Sequence, residues 1–274
     1  MPLIPPLEPT TAVPPGPQRI DWGRLVLVPV AVGLLIVNVR AIATRPWAEP
    51  TGLDSTLGLI AQIAVSAFWA LVVTAYLRRR PAIATNSSPV TYVVAVTASF
   101  LPFVFPLLGE RSTNLALVAV ADLLLIVGTA FAAWGIRHLD RSFSILPQAR
   151  AVVTTGPYRL VRHPLYAGEL LAALGLTLLA ATVWAFLAWL ALIPLQLYRA
   201  QHEERILADH LDGYAAYAAQ TGQFFPGVGK RKGSHPGRSE RQLTPRGRPR
   251  SQWPLRPPAT TRRPARGHHR VGRR

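Results

Sequence analysis

Long apolar runs alternate with short polar breaks along most of this chain, at intervals that a bilayer would set. A transmembrane helix needs about 20 predominantly apolar residues. Four such runs come first, at 25–43, 53–77, 90–108 and 115–136. Only Asp54, Ser55 and Gln62 interrupt the second, and Pro102 with Pro106 predicts a kink in the third. A polar segment containing proline and glycine fills 137–164. The next apolar run, 165–197, would reach about 50 Å as one helix, against a hydrocarbon core of about 30 Å. A helical hairpin turning at Ala181-Thr182 accounts for that length, with Thr182 capping the second arm. A single tilted helix is the other reading, and it would place the flanking polar segments on opposite sides of the membrane. The hairpin predicts an all-α fold: a polytopic membrane bundle of about six transmembrane helices.

Past Tyr198 the pattern changes. Over 199–219, Ile206, Leu207, Leu211, Tyr214 and Tyr217 share one helical stripe among charged residues. This predicts an amphipathic helix at the membrane surface, stopped by Phe224-Phe225-Pro226. Residues 1–18 are proline-rich and nearly free of charge, which predicts disorder. No basic run leads into an apolar stretch near Met1, so no signal peptide is expected. The Arg/Pro/Gly-rich stretch 227–274 has no periodicity and is expected to be disordered as well. The chain thus divides into 1–18, four apolar helices over 19–136, a polar and hairpin region over 137–226, and the tail 227–274.

Charge sharpens this picture. Charged residues make up 16% of the chain and hydrophobic ones 50%. Soluble domains carry about 25% charged residues. The net charge of +17 resides mostly in the tail, where 15 of the 30 Lys/Arg meet one acid, Glu240. Trp253 is the tail's one aromatic residue, so base stacking has little to work with and no specific nucleic acid is expected. Anionic lipid is the expected partner, at about 1 kcal/mol per cation near the surface. In the body, Arg78-Arg79-Arg80 lies between the second and third runs, and Arg19 and Arg24 precede the first. The opposite loops offer Arg45 with Glu49 and Arg111 with Glu110. The positive-inside rule then predicts a multi-pass protein of the cell membrane with both termini and 137–164 in the cytoplasm. Absence of cysteine excludes disulfides, thiolate metal ligation and cysteine nucleophiles. No metal site is expected.

Chemistry concentrates in two polar segments. In the first, Gly156 and Pro157 set a turn and Pro164 suits the first turn of a helix. Arg162 and His163 then sit at a helix N-terminus, where exposed N–H groups and the dipole favour an anion. Tyr166 adds a face and a hydroxyl, and Gly168 permits close approach to the backbone. The plainer reading is a basic-aromatic belt that anchors the helix. The second segment carries Glu203 and Glu204 beside Arg205. Paired carboxylates can hold a ribose diol or a cation; equally, they can be a solvated face with local Glu–Arg pairs. If the hairpin forms, the two segments return to the same membrane face. His138, Asp140 and Arg141 can line the cleft between them or form an interfacial turn, and Asp122, inside the fourth run, reads as a structural hydrogen-bonding residue.

Taken together, Gly156-Pro157-Tyr158, Arg162-His163-Pro164-x-Tyr166-x-Gly168, Arg199 with Glu203-Glu204-Arg205, and Tyr214-x-x-Tyr217 resemble the C-terminal half of the isoprenylcysteine carboxyl methyltransferases. That family is grouped with the phospholipid N-methyltransferases. The resemblance covers 137–226. It implies an S-adenosylmethionine-dependent methyltransferase acting on a small lipophilic or prenylated acceptor, with carboxylate O-methylation the favoured reaction. It implies that Gly156, Tyr158, Arg162, His163, Pro164, Tyr166, Glu203 and Glu204 contact the cofactor, and that Arg205 faces the acceptor. A phenol or amine acceptor would need a base, for which His202 or Glu203 is available. Two alternatives remain: a membrane reductase of the sterol-reductase kind using NADPH, and a non-catalytic membrane scaffold with a basic tail.

The chain departs from the family pattern on the acceptor side. Arg150 stands where a histidine is frequent, His202 precedes Glu203 in place of a longer acidic run, and Leu211-Asp212-Gly213-Tyr214 shortens the family's turn.

Overall fold

A computed structural model describes residues 22–45, 52–80, 82, 84–85, 88–145, 148–149 and 151–228. The expectations for 1–18, for Arg150 and for the tail from 229 onward lie outside these residues. Seven α-helices occur among the described residues: α1 (Trp22–Ala43), α2 (Leu53–Arg78), α3 (Pro89–Phe100), α4 (Leu115–Leu139), α5 (Pro164–Ala180), α6 (Val183–His210) and α7 (Tyr214–Gln220). A two-residue antiparallel ladder, β1 (Ala84–Thr85) with β2 (Gln148–Ala149), and an isolated bridge between Val161 and Gly222 are the β pairings among them.

Among the described residues five helical stretches are long and apolar enough to cross a membrane, and α5 is a shorter apolar helix. Many large apolar side chains on these helices point outward, among them Leu25, Val37, Leu115 and Trp184. Against water such a surface would be costly; against lipid it is the expected one. The protein is a multi-pass membrane protein.

Local chemistry explains where the helices end. Pro102 and Pro106 supply no N–H, and at Leu101 the third apolar run passes from α3 into a 3-10 turn, Leu101–Leu107. The hairpin between α5 and α6 turns on Ala181, which adopts a left-handed φ of 50°. Thr182 caps α6: its hydroxyl oxygen accepts from the Ala185 N–H at 3.2 Å and the hydroxyl donates to the Leu108 carbonyl at 3.2 Å. Asn114 caps α4 in the same way, accepting from the Leu117 N–H at 3.1 Å. At this end of the bundle Arg111 reaches the buried Asp122 carboxylate at 3.4 Å.

The tightest packing joins α4 to α5. A Cβ on Gly128 would stand 2.6 Å from the Gly168 carbonyl oxygen, and one on Gly168 would stand 2.6 Å from the Ala132 nitrogen. Only glycine at both positions lets these two backbones touch, as small residues do at membrane helix crossings. This contact fixes the end of α4 against the start of α5, where the polar segments lie.

The amphipathic stretch expected as one helix over 199–219 is divided. Its first half continues α6 without a break to His210, and its second half forms α7. Gly213, with φ 82°, makes the turn between them. The apolar stripe survives the break because α7 folds back, burying Tyr214 and Tyr217 beside Tyr158 and Ala218.

Candidate cofactor site

The polar segments meet where α4 ends, α5 begins and α6 leaves the apolar region. Gly156 opens a 3-10 turn, Gly156–Arg159, with φ 58°, and a Cβ there would collide with the His138 ring. The turn therefore requires glycine, and it seats Tyr158 against α7. The Tyr217 hydroxyl donates to the Tyr158 carbonyl at 2.7 Å.

The next residues pair with the strap that follows α7. The Arg162 N–H donates to the Gly222 carbonyl at 2.8 Å, and the His163 N–H to the Gln223 carbonyl at 3.1 Å. The Arg162 guanidinium then binds in several directions at once. It donates to Glu204 Oε1 at 2.8 Å, to Glu204 Oε2 at 3.3 Å, to the Ala218 carbonyl at 3.0 Å and to the Thr221 carbonyl. His163 Nε2 lies 3.0 Å from the same Glu204 Oε1, and the His163 ring stacks with Tyr166 and with Phe224. An anion does sit beside the Arg162-His163 pair, and it is the chain's own Glu204. Phe224, expected as part of a membrane-edge stop, instead packs on His163.

Glu203 behaves differently. Its Oε2 accepts from the Tyr166 hydroxyl at 2.7 Å, and its side chain is half-buried. It borders a partly open cleft with two overlapping lobes. Leu139, Ser142, Tyr158, Arg162, His163 and Glu203 line both. One lobe extends to Ser144 and Tyr166, the other to Leu207, Tyr214 and Tyr217. Burial pushes the Tyr158, Tyr214 and Tyr217 phenols well above their ordinary pKa, with the Glu203 or Glu204 charge adding to the effect, so all three stay neutral. The Tyr214 hydroxyl is buried without a hydrogen-bond partner among the described residues.

Of the residues singled out from sequence, Tyr158, Arg162, His163, Tyr166 and Glu203 gather on this cleft. Pro164 and Glu204 are buried just behind it, and Gly156 shapes the turn without lining it. His202 and Arg205 do not border it: His202 stacks on Tyr198 with ring centroids 3.9 Å apart, and Arg205 is exposed. Asp140 and Arg141 are exposed on the turn after α4.

Sequence reading missed a second network behind Tyr166. Arg199 lies over the Tyr166 ring at 4.3 Å, donates to Gln196 Oε1 at 2.9 Å, and stands 3.6 Å from Glu169. Gln196 in turn donates to Glu169 at 2.8 Å. Polar residues three apart inside an apolar run, Gln196 and Arg199, were the available signal.

The residues that build this site fall largely within one family match. Residues 116–212 fit the family model described as phospholipid methyltransferase. This stretch is similar to phospholipid methyltransferases. The matched span begins in α4, consistent with the glycine contact that locks α4 to α5. Beyond it lie α7 and the strap, so Tyr214, Tyr217 and Thr221 reach the site from outside the matched span. The cobalt-zinc-cadmium resistance protein CzcN of Cupriavidus metallidurans is 44% identical over 77 residues, which is 27% of this chain and 35% of that protein. The chain thus spans about a third of the length of this curated relative. A solved structure, the eukaryotic intramembrane Ras methyltransferase known as isoprenylcysteine carboxyl methyltransferase, aligns with a TM-score of 0.45 at 18% identity, covering 76% of this chain and 77% of that one.

Proposed function

We propose that this protein is an S-adenosylmethionine-dependent methyltransferase that modifies a small lipophilic or prenylated acceptor at the membrane. The observation that carries the reading is the coincidence of the methyltransferase match with the residues that build the cleft. Bound there, S-adenosylmethionine would supply a methyl group activated by its sulfonium.

The donor set fits such a cofactor. Glu203 offers a carboxylate for hydroxyl or cationic groups, Tyr158 and Tyr166 offer aromatic faces, and the Tyr214 hydroxyl is an orphaned polar group that a ligand can satisfy. Arg162 and Glu204 play another part in this reading. Their hydrogen bonds are spent on each other and on the strap, so they frame the cleft, and Glu203 is the carboxylate that meets the cofactor.

The favoured reaction is O-methylation of a carboxylate. A carboxylate is already nucleophilic, so the enzyme needs only to orient it and exclude water. The position of His202, stacked on Tyr198 and off the cleft, supports a mechanism that needs no histidine base there. Arg205 is left to the acceptor side. The arginine distribution supports placing the cleft and both termini on the cytoplasmic side of the cell membrane. The basic tail is assigned to anionic lipid on the same ground.

Calorimetry on detergent-purified full-length protein tests the reading. Binding of S-adenosylmethionine, with none of NADPH, is the expected result. Binding of NADPH alone would reassign the protein to reductase chemistry, and binding of neither would point to a scaffold.

A further inference from the structure

One wall of the cleft is the short loop that follows α4, from which Ser142 and Ser144 line the cavity. The residues between and after them point the other way. Phe143 is buried and meets the Tyr76 ring edge-on, at 5.4 Å and 87°. The Ile145 N–H donates to the Tyr76 hydroxyl at 2.9 Å, and the Ile145 carbonyl accepts from Arg199 at 3.0 Å. One peptide segment is thus gripped from both sides, by α2 through Tyr76 and by α6 through Arg199. The Arg80 N–H adds a bond to the Arg141 carbonyl at 2.9 Å.

Tyr76 is itself held firmly. It is fully buried, and its carbonyl accepts from Arg24 Nε at 3.1 Å, while Arg24 also donates to the Arg79 carbonyl at 3.2 Å. Arg79 lies over the Tyr76 ring, its guanidinium carbon 4.4 Å from the centroid. These contacts tie the end of α2 to α1, and Tyr76 passes that fixity to the loop.

We infer that Tyr76 is a positioning residue for the cofactor cleft: it holds the Ser142–Ser144 wall at its working distance from Glu203 and Tyr166. The inference rests on the methyltransferase reading for the ligand's identity, and on the contacts of Phe143 and Ile145 for the loop. It assigns the N-terminal helices, which lie outside the family match, a role in the site. A wall residue of this kind acts on binding, since it touches no reacting atom.

Tyr76→Phe keeps the ring against Phe143 and removes only the hydroxyl that accepts from Ile145. Hydrogen exchange on the ligand-free full-length protein should show faster exchange confined to 142–145, with the thermal midpoint nearly unchanged. Calorimetry should then show S-adenosylmethionine binding about three- to tenfold weaker, the range one ordinary hydrogen bond allows, while kcat at saturating cofactor stays at the wild-type value. Phe143→Leu, which loosens the same loop from its packing side, should give the same pattern and guards against a folding defect in the first variant. Unchanged exchange at 142–145 overturns the inference, as does faster exchange with unchanged affinity. Failure of the wild type to bind S-adenosylmethionine removes the functional reading instead, and the exchange measurement still decides the fate of the loop clamp.

Discussion

Arg162 and Glu204 meet in a two-point contact, at 2.8 and 3.3 Å, across 42 residues of chain and with both side chains buried. The same guanidinium binds the carbonyls of Ala218 and Thr221, so the pair joins the start of α5, the end of α6 and the strap after α7 in one knot. Residues of the motif that line the cleft also fasten its walls together.

Glu204→Gln tests that fastening. It leaves Arg162 buried without its counter-charge, and breaking a buried pair from one side costs about 3–5 kcal/mol. The variant should unfold at a clearly lower temperature in detergent, and the loss should appear without any ligand present. An unchanged midpoint would remove the framing role.

Glu203→Gln should behave in the opposite way. The side chain is half-buried and is bonded to Tyr166 at one oxygen. Stability should change little, while S-adenosylmethionine affinity should fall roughly ten- to hundredfold, the worth of a hydrogen bond to a charged group. Equal affinity measured by calorimetry would move the cofactor's polar groups elsewhere.

Tyr214→Phe separates a ligand-facing hydroxyl from a packing one. An unsatisfied buried hydroxyl costs about 1–3 kcal/mol. Without ligand the variant should be as stable as the wild type or more so. With ligand it should bind S-adenosylmethionine about three- to tenfold less tightly. A stability loss without ligand would mean that the hydroxyl already has a structural task.

His202→Ala and Arg205→Ala should leave cofactor affinity within about twofold, as expected for side chains outside the cleft. Turnover of His202→Ala should also persist, because a carboxylate acceptor needs no base. A loss of kcat at unchanged cofactor affinity would turn the assignment toward a phenol or amine acceptor. Any effect of Arg205→Ala should fall on the KM for the acceptor.

What could be read from sequence follows from how local each signal was. The hairpin was legible because Thr182 is a capping residue in the middle of an overlong apolar run. The broken third helix was legible because proline acts on its own turn. Tyr158, Tyr166 and Glu203 were reachable through motif resemblance and do meet on the cleft. The partners of Arg162 were not legible. Its bonds to Ala218 and Thr221 depend on α7 folding back at Gly213, a turn that an unbroken helical stripe conceals. Tyr76 was invisible for a similar reason: it is one aromatic in an apolar helix, and its ties to the site run to Phe143 and Ile145, 67 and 69 residues further along the chain.

The 17 residues of α5 rise about 25 Å, roughly 5 Å less than an average hydrocarbon core. None of them is exposed, so protein and not lipid surrounds the helix. A helix shielded in this way need not match the bilayer, and irregular backbone beside it is tolerated at membrane depth. The turn that leads into α5 can therefore sit below the headgroups without exposing its peptide groups to lipid.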